Sequence, residues 1–216
     1  ITTATGGKMS ASMWFKCDVI ENSTWLLGNG TTGGAWYVPT DGWVIFLRSP
    51  AAGTEVLKCG VEGQQVNPSP ADLPAVITAN RWYHLTVTFD GTGVAWYLDG
   101  VNVGTATMGS PIEAQTLQVF AGYSTENNTN PTAMDGKMRD IRIYDGTVLS
   151  ADQAASLYRG SYNVTPTYWW KIDATGDPAG SGTNTQGMNE VSGTGHSEGT
   201  LKVNGAARVL DNGSVS

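Results

Sequence analysis

Charge is scarce in this chain: of 216 residues, Asp, Glu, Lys and Arg make up only 14%. Acids outnumber bases 19 to 12, a net charge of −7, which argues against nucleic acid or any other phosphate backbone as partner. With 2 histidines, His84 and His196, there is little material for a Ser-His-Asp triad. The 2 cysteines, Cys17 and Cys59, form no Cys-x-x-Cys pair that would suggest zinc. No apolar run approaches the roughly 18–20 residues of a membrane helix, so no membrane association is expected. The chain opens on Ile1 without a signal segment, as a processed product or a piece of a longer protein also would, so export stays open.

What is abundant is glycine, 28 residues, together with threonine and asparagine. Many short strands joined by tight turns need that composition, and the length suits one all-β domain. It fits an extracellular or virion-surface protein better than a cytoplasmic enzyme. The organising stretch is Asn80–Gly104. Tyr83, Leu85, Val87 and Phe89 alternate with His84, Thr86 and Thr88, the pattern of a strand with one buried face. Asp90-Gly91-Thr92-Gly93 reverses the chain, and Val94, Trp96 and Leu98 share a face on the way back. Asp99-Gly100 then tolerates the positive φ angles of a type I′ turn, predicting a three-strand meander.

Before it, Ser10–Val19 alternates, with Ala11, Met13, Phe15 and Cys17 inward and Ser12, Trp14, Lys16 and Asp18 opposite; Trp14 is the odd member of that polar face. Further strands are predicted at Thr24–Leu27, Ala35–Val38, Trp43–Arg48 and Glu55–Val61. Val66–Ala79, with Pro68, Pro70 and Pro74, reads as a crossover loop. After the meander come Thr116–Ala121, a polar loop Tyr123–Thr132, and a helix at 150–158. Ser150 and Gln153 form its capping box and Gly160 ends it. Cys17 and Cys59 share parity with core positions, so they are either two buried thiols or a disulfide between neighbouring strands.

Arg81-Trp82-Tyr83-His84-Leu85-Thr86-Val87-Thr88-Phe89-Asp90-Gly91, followed by Trp96-Tyr97-Leu98-Asp99-Gly100, resembles the central hairpins of laminin G-like (concanavalin A-like) jelly-roll domains. Ser12–Lys16, Met134–Met138 with Asp140–Tyr144, and Leu149–Ala151 leading to Leu157-Tyr158 fit the same family. The resemblance implies an all-β, two-sheet antiparallel jelly-roll sandwich with one short helix. It divides the chain into a sandwich, 1–160, and a tail, 161–216. The tail's Tyr168-Trp169-Trp170-Lys171 and Gly199-Thr200-Leu201 resemble strands that the family places first, and here they come last. The tail is therefore expected to supply strands to its own sandwich or to a neighbouring copy. Tyr158–Pro166 also resembles junctions between laminin G-like units in phage structural proteins.

The fold carries lectins, glycosidases, adhesion modules and structural subunits, so function has to be sought in particular residues. The Glu-x-Asp-x-x-Glu strand that the resemblance would demand of a glucanase does not occur, and no catalysis is expected. Sugar recognition needs aromatic faces beside amides and carboxylates. Trp14, Trp36, Tyr37, Tyr123, Glu126, Asn127 and Asn128 are the candidates. The resemblance also implies calcium, with Asp135, Asp140 and Asn189 at its ligand positions; Asp135 and Asp140 differ in parity and would need a bulge to share a cleft. The expected partners are a glycan or cell-surface polysaccharide and copies of the chain itself or other virion or extracellular structural proteins. The expected function is a non-catalytic carbohydrate-binding or adhesion sandwich; the alternatives are a self-assembling structural subunit (capsid decoration or filament protein) linked by C-terminal strand exchange, and a glycoside hydrolase of concanavalin A-like fold.

Overall fold

The computed structural model describes residues 2–20, 24–31, 41–48, 56–61, 64–66, 77–109, 111–116, 119–121, 134–161, 163–170 and 201–203. Among them run β1 (Thr2–Thr3), β2 (Lys8–Val19), β3 (Thr24–Thr31), β4 (Asp41–Arg48), β5 (Val56–Val61), β6 (Gln64–Val66) and β7 (Tyr83–Asp90). These are followed by β8 (Gly93–Leu98), β9 (Val101–Thr107), β10 (Gln115–Thr116), β11 (Val119–Ala121) and β12 (Asp135–Asp145). Helix α1 (Ala151–Tyr158), β13 (Tyr168–Trp170) and β14 (Leu201–Val203) complete the order. The strand predicted at 35–38, the loop at 123–132 and most of the proline-rich crossover lie outside the described residues.

The strands form two six-stranded sheets, β13-β12-β2-β7-β8-β9 and β14-β11-β3-β4-β5-β6, with a small β1-β10 ribbon beside them. All pairings are antiparallel except β11 with β14. The sheets share one apolar interior. Met9, Ala11, Met13, Phe15, Leu85, Val87, Phe89 and Trp96 come from the first, and Leu27, Trp43, Ile45 and Leu47 from the second. Trp43 and Phe89 meet across it with ring centroids 6.4 Å apart. The two-sheet jelly-roll expectation is met.

The meander forms as its alternation predicts, and its second turn has φ 50° at Asp99 and 78° at Gly100. Gly100 serves twice: only glycine takes that φ without strain, and a Cβ there would stand 3.0 Å from Ala155 Cα of the helix. The helix begins with the predicted capping box, Ser150 Oγ accepting from Gln153 N at 3.2 Å and Gln153 Oε1 from Ser150 N at 2.7 Å.

Of the two alternatives for Cys17 and Cys59, the structure holds separate buried thiols. Cys17 belongs to the first sheet and Cys59 to the second. Burial pushes the Cys59 thiol pKa up. One expectation is corrected, that of β7, which is buried on both faces: His84, Thr86 and Thr88 are as inaccessible as the leucine and valine between them. The segment 146–158 and helix α1 lie over that outer face, and Ser10 anchors them there. Its Oγ donates to Thr147 O and accepts from Leu149 N, each at 2.9 Å.

The tail strands occupy one edge of each sheet. β13 pairs with β12 over Ile141–Ile143, placing Tyr168 and Trp170 in the interior and Trp169 on the outer face. β14 lies beside β11.

Candidate functional site

The site grows from an irregularity in β12. Its register with β2 slips between Arg139 and Arg142, and Asp140 is the extra residue, with φ 53°. A non-glycine residue in that region is strained by about 1–2 kcal/mol, and bulges re-aim neighbouring side chains. Met138 and Ile141 are both buried in the interior, while Arg139 stands opposite Trp14 and Arg142 opposite Ser12. Both arginines thereby reach the outer face of the first sheet.

Asp140 Oδ1 accepts from Trp169 Nε1 at 2.6 Å and ion-pairs with Arg142 Nη2 at 2.7 Å. The Arg142 guanidinium lies over the Trp169 ring, 4.3 Å from its centroid. One carboxylate thus fixes both the bulge and the tail strand. Arg142 is almost fully buried, so removing Asp140 would leave a poorly compensated charge.

Next to this knot, Trp14 is half-buried among aromatic and cationic groups. His84 meets it edge-on at 5.2 Å, and Tyr158 of α1, 40% exposed, lies 5.7 Å away. Arg139 bridges two tryptophans, 5.2 Å from the Trp14 ring and 4.9 Å from the Trp82 ring. Trp82 and Arg139 are also half-buried, so this stack marks where the covered face comes out to solvent. Burial, and then the positive charge of Arg142, hold the His84 pKa down at about 3, so the ring is neutral at ordinary pH. Its backbone N–H donates to Asp99 Oδ1 at 2.9 Å, while Asp99 Oδ2 accepts from Arg81 Nη2 at 3.1 Å. One row further along, Lys16 stands directly opposite Lys137.

Of the residues singled out in the sequence, Trp14 and Asp140 come together here. Trp36, Tyr37, Tyr123, Glu126, Asn127, Asn128 and Asn189 lie outside the described residues. Asp135 opens β12, five residues before Asp140. At about 3.3 Å per residue the two backbone positions stand roughly 16 Å apart. Asp140 is engaged by the Arg142 guanidinium. Among the described residues no group of three or more His, Cys, Asp and Glu side chains is gathered.

The sequence reading missed Trp82, Arg139, Arg142, Tyr158, Trp169 and Lys137 as site residues. A signal for Trp82 was present, since it shares parity with His84 and Trp14's face. So was one for the bulge: the apolar positions 138, 141 and 143 are spaced three and then two apart, which a regular strand does not allow.

A family model described as the concanavalin A-like lectin/glucanases superfamily, of the laminin G type, matches residues 2–155 and stops before β13. No curated protein matches the chain. Among solved structures, the native heptameric SAP-like pentraxin from Limulus polyphemus superposes with a TM-score of 0.56 at 16% identity, over 76% of each chain. A protein from Bacteroides ovatus ATCC 8483, assigned to carbohydrate binding, superposes with a TM-score of 0.57 at 15% identity. That match covers 83% of this chain and 49% of the other, so the present chain spans about half its length. At such identities the likeness is one of fold.

Proposed function

This chain belongs to the laminin G-like branch of the concanavalin A-like lectin/glucanase superfamily, and from that premise we propose that it is a non-catalytic, glycan-binding adhesion module of a virion or other extracellular surface. The observation that carries the reading is the Trp14–Arg139–Trp82 stack at the margin of the outer face. Sugar rings bind aromatic faces through their C–H surfaces, and fixed charged donors beside the rings select hydroxyls and acids. Support for a non-catalytic role comes from the carboxylates nearby. Asp18 faces Lys16, Asp99 faces Arg81 and Asp140 faces Arg142. Each is engaged in an ion pair, and the chain lacks the Glu-x-Asp-x-x-Glu strand that the resemblance would demand of a glucanase. Among the described residues no helix is long and apolar enough to cross a membrane.

Calcium enters the proposal only at Asp135, so the test is a glycan array run with calcium and with chelator. Binding to a defined glycan set is expected, with Trp82→Ala losing at least about tenfold in affinity, the factor that about 1.4 kcal/mol represents. An empty array, or affinity unchanged in both Trp14→Ala and Trp82→Ala, would overturn the reading.

A second reading, a self-assembling subunit linked by strand exchange, is favoured by the position of the tail: β13 and β14 are each an edge strand. Edge strands can pair with another copy using the same main-chain bonds. Deletion of 162–216 followed by addition of the tail as a peptide tests it. Rescue of folding by the peptide, with oligomers in the parent's solution mass, supports exchange; a folded truncation indifferent to the peptide removes it.

A further inference from the structure

Resting on the glycan reading, we propose that the ligand is an anionic polysaccharide and that Lys137, with Lys16, reads its charge. Strands β2 and β12 place Lys16 and Lys137 directly opposite one another on the same face as Trp14 and Arg139. Directly opposed side chains have Cβ atoms about 5 Å apart, and like charges at that spacing are destabilising. Neither lysine is fully exposed: the Lys16 side chain is 21% accessible and Lys137 is half-buried. Lys16 has a partner, Asp18 at 3.3 Å, whereas Lys137 makes no ion pair among the described residues.

This cationic pair stands on a chain in which acids outnumber bases 19 to 12. The sandwich interior does not use it, and Asp18 offsets only the Lys16 charge, so an anion at Lys137 relieves what repulsion remains. Arg139 lies two residues from Lys137 on the same strand face, about 7 Å along it. One sugar residue bridges that distance, with its ring against the tryptophans and its acid group at the lysines. The Arg139 guanidinium, between the Trp14 and Trp82 rings, keeps this margin of the face cationic. The shared chemistry is therefore an oxyanion on a sugar ring, from either a uronic acid or a sulfate ester.

The experiment measures the full chain's affinity for three polymers: a uronic acid polysaccharide, the same polymer with its carboxyl groups reduced, and a sulfated polysaccharide. Each is measured at low and at high salt for the parent, Lys137→Gln, Lys137→Arg and Trp82→Ala. The expected result is binding to an acidic polymer at least about tenfold tighter than to the carboxyl-reduced one, the size of a charge-assisted hydrogen bond. That preference should fall at high salt, disappear in Lys137→Gln and survive in Lys137→Arg. Preference for the uronate or for the sulfated polymer names the source of the oxyanion. Equal binding to the acidic and reduced polymers, abolished by Trp82→Ala, overturns the charge inference and leaves the glycan reading intact. Acidic preference retained in Lys137→Gln also overturns it. Binding to none of the polymers, with an empty array, overturns both.

Discussion

Met9, Ala11, Met13 and Phe15 on β2 build the sandwich interior, while Ser10 and Ser12 between them are just as inaccessible to water. Strand β7 repeats the contrast, Leu85, Val87 and Phe89 against His84, Thr86 and Thr88. The two faces share a backbone and a degree of burial but not a chemistry. On the inner face every side chain gains from leaving water, at roughly 25 cal/mol per Å² of apolar surface. On the outer face burial removes hydroxyls, an imidazole and a guanidinium from water, and each costs free energy unless it finds a partner. Stability is therefore expected to reside on the inner face, and pH sensitivity, specificity and binding on the outer one.

The largest effect should come from the inner face. Phe89 is fully buried against Trp43, and Phe89→Ala should cost about 3–5 kcal/mol, with Leu85→Ala at about 2–5 kcal/mol. Chemical denaturation measures both. Unchanged midpoints would mean that the two faces contribute alike and the contrast is false.

Much of the inner face was legible in the sequence because alternation of apolar residues is a local signal. Tyr83 to Phe89, the Asp99-Gly100 turn and the Ser150–Gln153 capping box each depend on neighbours within a few positions, and each formed as read. The outer face was not legible for the same reason. His84, Thr86 and Thr88 look like solvent-facing residues from the pattern of β7 alone; what covers them is a helix some 65 residues further on. The bulge at Asp140 had a faint trace in the spacing of Met138, Ile141 and Ile143. Its partner Trp169 comes from a strand across the chain reversal, which no local pattern announces. The aromatic candidate that alternation did flag, Trp14, lies beside His84 and Arg139 in the candidate site.

An intermediate effect separates the faces by pH. His84, buried under Trp14 and Tyr158 and near Arg142, has a pKa held at about 3 against an ordinary value of 6.5. Between these values the unfolded chain binds a proton at this site and the folded one does not, so acidification favours unfolding. Stability should fall as pH drops from 6.5 toward 3, with a slope of about 1 kcal/mol per pH unit from this group. Carboxylates add their own slopes, so the measured quantity is the difference between the parent and His84→Gln. Parallel stability–pH curves for the two proteins would show that His84 is protonated in the folded state and that the outer face is wetter than its burial indicates.

The smallest effect tests the outer face on its own terms. Thr86 and Ser10 are both buried hydroxyls on neighbouring strands, yet their circumstances differ. Ser10 Oγ holds the chain leading into α1 through two hydrogen bonds, whereas Thr86 Oγ1 has no hydrogen-bond partner among the described residues. Thr86→Val replaces the hydroxyl by a methyl of nearly the same shape, removing a group whose burial is uncompensated. It should leave stability unchanged or raise it by about 0.5–1 kcal/mol. Ser10→Ala removes a satisfied group and strands the Leu149 N–H, and should cost about 1–3 kcal/mol. Paired denaturation curves decide the matter through the sign of the difference. A loss in Thr86→Val as large as in Ser10→Ala would mean that a buried water serves Thr86, and that the outer face is a hydrated layer beneath the helix rather than a dry one.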